Sequence, residues 1–332
     1  MKPCAIVLLN FNGEAVLPSF LPSVVANSQY DVWLIDNAST DGSLSYVKEQ
    51  FSSVSIISLT ANHGFTGGYN LGLAQLRDQY THFILLNTDV EVTPDWDLQL
   101  VEFLSRQEAY AAVQPKILSW KDKSHFDYAG AGGGFLDALG YPYCRGRLWD
   151  HLEHDQGQYN DTCDVDWASG ACMAIRAADY FEQGGFDGDF FAHMEEIDLC
   201  WRLRKSGRKI GYLGAVTVYH LGGATLDRGS SKKLYLNIRN SLSMLYKNIG
   251  LPRFVATVAV KGAMESLAAL NYLRQGQVGF AKAIFQGYGD FFASQKKKIG
   301  AKLGVSPIPS AGPVGFVFGH YLFRGVRKFT DL

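Results

Sequence analysis

The sequence predicts an α/β fold: a mainly parallel central sheet of the nucleotide-binding kind, followed by a C-terminal region of amphipathic helices. Three observations predict it. Short apolar, β-branched runs alternate with helical patterns through the first half. Polar clusters stand where those runs end, which is where open α/β sheets bind ligands. Charge then divides the chain of 332 residues: residues 1–227 carry 15 Lys+Arg against 29 Asp+Glu, a net −14, and residues 228–332 carry 16 against 3, a net +13. With 47% hydrophobic residues the chain can bury a large core, which excludes disorder, and its length excludes a small binding module.

Strands are expected at 5–9, 32–35, 54–59 and 83–86, with helices over 42–51 and 67–79 between them. Pro94 suits an early position of a further helix reaching about Arg106. Periodicity is lost over 120–165, around Gly130 to Gly134 and a polar stretch holding His151, His154 and Asp155, so this part reads as long surface loops. A strand at 171–175, a helix at 195–205 and two strands at 209–213 and 215–219 follow.

From about Leu234 the pattern turns helical. Residues 254–273 are apolar, but Lys261 and Glu265 form one stripe with Thr257 and Tyr272 at helical spacing, so the segment is amphipathic and not spanning. A second helix gathers Phe280, Ile284, Tyr288 and Phe291 on one side and runs into Lys296, Lys297 and Lys298. A Gly/Pro linker over 304–313 leads to a last segment mixing Phe316, Phe318, Tyr321, Phe323 and Phe329 with Arg324, Arg327 and Lys328. Aromatic bodies with basic heads suit a lipid headgroup layer, so an anionic membrane surface, and not nucleic acid, is the expected partner. The rival reading packs these helices on the body with a solvated basic face. The expected division is a catalytic domain over 1–227 and a basic, helical, membrane-proximal region over 228–332. The apolar run 5–9 is too short for a secretion signal, and five cysteines without a C-x-x-C pair fit a reducing compartment.

Four clusters at strand ends carry the candidate chemistry. Asn10-Phe11-Asn12-Gly13 and Asp36-Asn37-Ala38-Ser39-Thr40-Asp41 offer amides and a carboxylate for a nucleobase or ribose, although Asp41 also suits a helix cap. The glycine-rich run from Asn62 through Gly67, Gly68 and Asn70 to Gly72 opens a helix, where backbone amides can approach a diphosphate; it matches neither the dinucleotide nor the P-loop pattern. Asn87-Thr88-Asp89 can hold a divalent cation that bridges a nucleotide diphosphate. Further on, Trp167 to Ala171 precede a strand, Glu195 and Glu196 open a helix, and His220 ends a strand.

In this order the motifs resemble the family 2 glycosyltransferases of GT-A fold, in particular the rhamnosyltransferase-like branch of bacterial surface polysaccharide synthesis. The resemblance covers about residues 4–245 and includes Arg239-Asn240. It implies a nucleoside-diphosphate-sugar donor held by Asn10, Asn12, Asp36, Asn37, Asn62, Gly67, Gly68, Asn70, Asn87 and Trp167. It also implies Mg²⁺ or Mn²⁺ on Asp89 and His220, with Asn87 standing where the family has a first carboxylate. Glu196 would be the catalytic base, with Glu195 in reserve, in an inverting single displacement. The implied donor is dTDP-L-rhamnose, with other hexosyl or galactofuranosyl donors next, and the implied acceptor is a polyprenyl-linked glycan or polysaccharide. The implied location is cytoplasmic, peripheral on the inner face of the plasma membrane. Two rivals share the architecture: a sugar nucleotidyltransferase, whose Gly-x-Gly-x-Arg type of opening is missing from 8–13, and an inactive membrane-bound assembly partner.

Overall fold

The computed structural model describes residues 1–222, 229–295 and 312–332. Lys296, Lys297 and Lys298, the 304–311 part of the linker, and the expected boundary at 227/228 lie outside the described residues. In chain order the elements are β1 (Lys2–Asn10), α1 (Leu17–Asn27), β2 (Asp31–Asp36), α2 (Ser43–Gln50), β3 (Ser55–Ser58), α3 (Gly64–Gln75), β4 (Tyr80–Leu86), β5 (Val90–Val92), α4 (Trp96–Arg106) and β6 (Tyr110–Ser119). Five short strands follow: β7 (Gly134–Leu136), β8 (Pro142–Cys144), β9 (Arg147–Leu148), β10 (His151–Leu152) and β11 (Thr162–Val165). Then come β12 (Cys172–Arg176), α5 (Ala177–Glu182), α6 (Glu195–Lys205), β13 (Lys209–His220), α7 (Ser231–Asn248), α8 (Leu251–Arg274), α9 (Val278–Gln295) and α10 (Val317–Phe323).

The central sheet runs β11-β13-β6-β12-β4-β1-β2-β3, with β5 paired to β13. Its β4-β1-β2-β3 half is parallel, as the sequence predicts, because each crossover is helical. The other half is mixed: β12 lies antiparallel to both β4 and β6, while β13 runs parallel to β6. Period-two alternation decides the two faces. Along β1, Cys4, Ile6 and Leu8 pack with Leu17, Val47 and Leu100 of α1, α2 and α4. Ala5 and Val7 point the other way, toward Tyr69 of α3 and a core that continues through α6 and the C-terminal helices.

Two expectations need correcting. The stretch read as surface loops is buried over much of 126–148 and builds a second, antiparallel sheet, β10-β9-β8-β7, from strands of two or three residues. The strands expected at 209–213 and 215–219 are one strand, β13, with an irregularity in its pairing to β6 between Leu213 and Thr217. The sequence leaves open which way the polar stripe of α8 turns. Thr257, Lys261 and Glu265 are buried, and the apolar Val255, Val260, Leu267, Leu270 and Leu273 are exposed. The polar stripe faces the protein because it finds partners there: Tyr141 and Tyr288 donate to Glu265 at 3.0 and 2.6 Å, and Lys261 Nζ lies 3.2 Å from the Tyr141 ring centroid.

Candidate active site

The carboxyl ends of β1, β2 and β4 lie side by side, with Asn10 level with Asp36 and Leu8 level with Leu86. Their polar residues pair largely with one another, as buried amides tend to, although Asn10 Oδ1 keeps no partner. Asn10 donates from Nδ2 to Asp36, Ser39 and Ser43 at 3.1, 3.1 and 2.9 Å, and Asn12 accepts from the Thr40 backbone. Asp41 accepts from the Ser43 backbone but stands one residue before the N-cap of α2, which is Gly42, so it is not the cap its sequence position suggests. Asn37 donates to Asn62 and to the Gly64 carbonyl and accepts from the His63 backbone, which ties β2 to the entry of α3.

Gly67 and Gly68 lie inside α3, not in a turn before it. A Cβ on Gly68 would stand 2.7 Å from Leu9, so this glycine serves close packing of helix on sheet. Asn70 is spent on the Phe186 backbone and the Tyr180 hydroxyl. Of the ten residues expected to hold a nucleotide, Asn37, Asn62, Asn87 and Trp167 therefore line the central cavity. Asn10, Asn12, Asp36, Gly67, Gly68 and Asn70 frame it from behind.

The cavity measures about 660 Å³. At one end β13 brings His220 beside Asp89: Nε2 lies 3.2 Å from Asp89 Oδ1 and 3.5 Å from Asn87 Nδ2. On its other side His220 Nδ1 is 2.8 Å from Asp127 Oδ1. Burial disfavours a charged imidazole, but the adjoining Asp89 and Asp127 carboxylates outweigh it and hold the group up at about 10. The donor set fits a divalent cation. Neighbouring ligands of an octahedral ion with bonds of about 2.1 Å stand roughly 3 Å apart, close to the Asp89–His220 spacing. A carboxylate on the far imidazole nitrogen is the usual orienting partner of a metal-bound histidine. Among the described residues no cluster of three or more acidic, His or Cys side chains converges on one point. Asp89 and His220 thus offer two ligands and leave the rest of a coordination sphere to substrate phosphates and water.

On the wall of the same cavity α6 presents Glu195 and Glu196 at its N-terminus, where the helix dipole favours negative charge. Glu195 is buried and Glu196 half-buried, and each keeps one oxygen, Oε2, without a partner. Burial pushes Glu196 up to about 7, against the pull of nearby backbone amides and Lys233. Glu195 is pushed well above the usual carboxylate range by burial and by the neighbouring Glu196. The approach to α6 is strained: Phe191, His193 and Met194 all have positive φ, at 64°, 69° and 70°. Asn240 of α7 holds this turn, donating from Nδ2 to the carbonyls of Phe190, Ala192 and His193 at 3.0, 2.8 and 2.8 Å, while Arg239 binds those of Asp189 and Phe190. The Arg239-Asn240 motif is thus a clamp behind the glutamates.

Asp127, Tyr128, Tyr141, Arg147, Lys233, Lys261 and Glu265 also line the cavity, and sequence reasoning missed them as site residues. Asp127 and Arg147 fall in the stretch without periodicity. Their one signal is a charged residue set among glycines and aromatics.

A sequence profile of Glycosyl transferase family 2 matches residues 5–180. An N-acetylglucosaminyl-diphospho-decaprenol L-rhamnosyltransferase of Mycobacterium tuberculosis is 27% identical over 233 residues, covering 65% of this chain and 75% of its own. A low-salt glycan biosynthesis hexosyltransferase of Haloferax volcanii is 23% identical, with 71% and 73% covered, and rhamnosyltransferase WbbL of Escherichia coli is 23% identical, with 65% and 82% covered. Among solved structures, GalNAc-T7 with UDP, GalNAc and Mn²⁺ superposes with TM-score 0.59 at 15% identity, over 91% of this chain but 58% of its own. The Pyrobaculum calidifontis mannosyltransferase PcManGT with GDP-Man and Mn²⁺ gives 0.53 at 12% identity, with 89% and 88% covered. The fold is that of the GT-A glycosyltransferases, and the chain belongs to glycosyl transferase family 2.

Proposed function

We propose that this glycosyltransferase moves L-rhamnose from dTDP-L-rhamnose to a polyprenyl-diphosphate-linked glycan, with inversion, at the cytoplasmic surface of a membrane. The observation that carries the reading is one cavity lined both by the adjoining Asp89 and His220 and by two partnerless carboxylate oxygens, of Glu195 and Glu196. Two relatives named as rhamnosyltransferases, one of them for a diphospho-decaprenol substrate, support the donor and the acceptor class.

Asp89 and His220 would hold Mg²⁺ or Mn²⁺, which when bound offsets the negative charge gathering on the departing diphosphate. Asp127 keeps the His220 ring oriented. Asn37 and Asn62 border the nucleoside end, and Trp167 closes the wall beside the sugar. Glu196 takes the proton from the acceptor hydroxyl as that oxygen attacks the anomeric carbon opposite the diphosphate. Glu195, its carboxyl pushed up by burial and by Glu196, stands beside it in reserve.

Residues 1–227 form the catalytic part in this reading, and residues 228–332 seat it on anionic lipid. The test is release of nucleoside diphosphate from dTDP-rhamnose, UDP-glucose, UDP-galactofuranose and GDP-mannose, with and without Mn²⁺. Metal-dependent release of dTDP is expected. Release from a UDP-sugar alone moves the assignment to a hexosyl or galactofuranosyl donor. Formation of pyrophosphate from a nucleoside triphosphate and a sugar phosphate makes the protein a nucleotidyltransferase, and no reaction with any substrate leaves an inactive partner.

A further inference from the structure

Arg147 opens β9, in the small antiparallel sheet. Its side chain lines the cavity yet is 8% exposed, with the guanidinium 4.1 Å from the centroid of the Tyr128 ring. Nη1 donates to the Trp149 carbonyl at 3.2 Å, Nη2 reaches Cys144 Sγ at 3.6 Å, and Nε has no partner. Among the described residues no carboxylate pairs with it. Every other buried Arg or Lys on this part of the molecule has one: Lys116 has Asp155, Arg145 has Asp161, and Lys261 has Glu265. The Asp127 carboxylate acts on Arg147 without forming an ion pair, and a buried cation with no paired carboxylate is unfavourable, the face of an aromatic ring offsetting only part of the cost. Lys233 Nζ lies 5.1 Å from the same Tyr128 centroid, so two cations share one ring on the cavity wall.

The surroundings are ordered. Asp127, next to Tyr128 in the chain, belongs to the His220 end. Beyond Arg147 the wall becomes aromatic: Trp149 and Phe318 stand 4.5 Å apart between ring centroids, and Tyr141 and Phe318 5.0 Å. Phe318 belongs to α10, which carries the exposed Leu322 and Phe323. One cavity thus holds the two glutamates, the two cations and the aromatic rings, and α10 adds an exposed apolar surface.

We propose that Arg147 and Lys233, gathered on the Tyr128 ring, form a second phosphate site in the cavity, and that it holds the diphosphate of a lipid-linked sugar acceptor. This rests on the glycosyl-transfer reading above for the identity of the ligand, but not for the existence of the site. The donor's own diphosphate is the other source of the same chemistry, and it is already served at Asp89 and His220.

The site is tested first with inorganic pyrophosphate, titrated by calorimetry in EDTA into the full-length protein. Arg147→Gln should weaken binding at least tenfold and Lys233→Gln severalfold, and Arg147→Lys, which keeps charge but loses the fork, should recover part of the loss. If Arg147→Gln fails to fold, the lysine variants carry the comparison. Pyrophosphate affinity unaltered by Arg147→Lys, Arg147→Gln and Lys233→Gln would overturn the site, whatever the enzyme's substrates. The source is read from kinetics with prenyl-diphosphate-linked N-acetylglucosamine against the octyl glycoside of the same sugar. Arg147→Gln should lower kcat/KM for the diphosphate acceptor at least tenfold more than for the glycoside, with the loss in KM. An equal loss on both acceptors, or a matching loss of dTDP affinity in Mn²⁺, would overturn the acceptor assignment. If the wild type uses neither acceptor, the sugar-transfer reading fails while the pyrophosphate titration still decides the site.

Discussion

Glu196 carries the sharpest expectation because its neighbours leave it one free oxygen and its burial holds it near neutrality. A base must be deprotonated to act, so transfer at saturating donor should fall as pH drops through about 7. Glu196→Gln keeps the shape but cannot take the proton, and it should lose about 10²- to 10⁴-fold in kcat with donor affinity retained. Glu195→Gln should cost much less, since adjacent helical side chains point about 100° apart. The reverse ranking would make Glu195 the base, and two active variants would end the carboxylate mechanism. Stability has the opposite sign. A carboxyl whose folded value is raised contributes most below its unfolded value, and the contribution is lost as pH rises through the folded one. Glu196→Gln should therefore gain Tm over the wild type from about pH 5 to 8, and thermal melts across that range check it. In the same cavity, Asp89→Ala should abolish metal-dependent donor binding, measured by titrating dTDP with and without Mn²⁺. Unchanged metal-dependent binding would remove Asp89 and His220 from the cation.

At the scale of elements, α6 delivers the glutamates only because α7 fixes the strained turn before it. Asn240 contributes three bonds to that turn. Asn240→Ala takes this donor from the Ala192 and His193 carbonyls, the Phe190 carbonyl keeping Arg239, at a cost of about 1–3 kcal/mol. It also frees the α6 N-terminus to shift, and a displacement on the order of 1 Å can cost about 10²-fold in rate. The expected result is a lower kcat, donor KM retained, and a displaced pH midpoint; a destabilised enzyme with wild-type kcat and pH profile would separate the clamp from the chemistry. The same pair of helices shows what a sequence can reveal. α6 is legible from its period and its acidic first turn, and Arg239-Asn240 is visible as a motif, but the clamp is a contact over nearly fifty residues that no local pattern encodes. Asn87, Asp89 and His220 are legible because strand ends in an open sheet converge by topology. Asn10 and Asn70 have the same look, yet they satisfy the frame, since composition does not tell which face of a loop an amide turns to. The second sheet is hidden because strands of two or three residues show no period, and their burial comes from Phe329 against Phe135 and Trp149 against Phe318.

The whole molecule is asymmetric in a way that its net charge of −1 conceals. α8 turns its charged pair inward and its leucines outward, with Leu267 at 68% and Leu270 at 57% exposed, and Phe285 and Phe292 of α9 and Phe323 of α10 are exposed as well. A monomer in water rarely keeps so many large apolar side chains on one region. No helix among the described residues is long and apolar enough to cross a bilayer; in the proposed docking on lipid, the exposed apolar side chains would lie in the interface. The basic excess of residues 228–332 adds about 1 kcal/mol for each Lys or Arg near anionic lipid, before screening. Two forces therefore act together, and salt separates them. Sedimentation with vesicles should show binding that rises with anionic lipid and weakens in high salt, with a remainder that salt leaves in place. Leu267→Ser combined with Leu270→Ser should remove that remainder and spare the salt-sensitive part. Equal binding to neutral and anionic vesicles would reject the part assigned to basic residues, and binding to neither would reject membrane docking. A concentration-dependent dimer abolished by the same double variant, in the absence of vesicle binding, would assign the apolar face to a second copy of the chain.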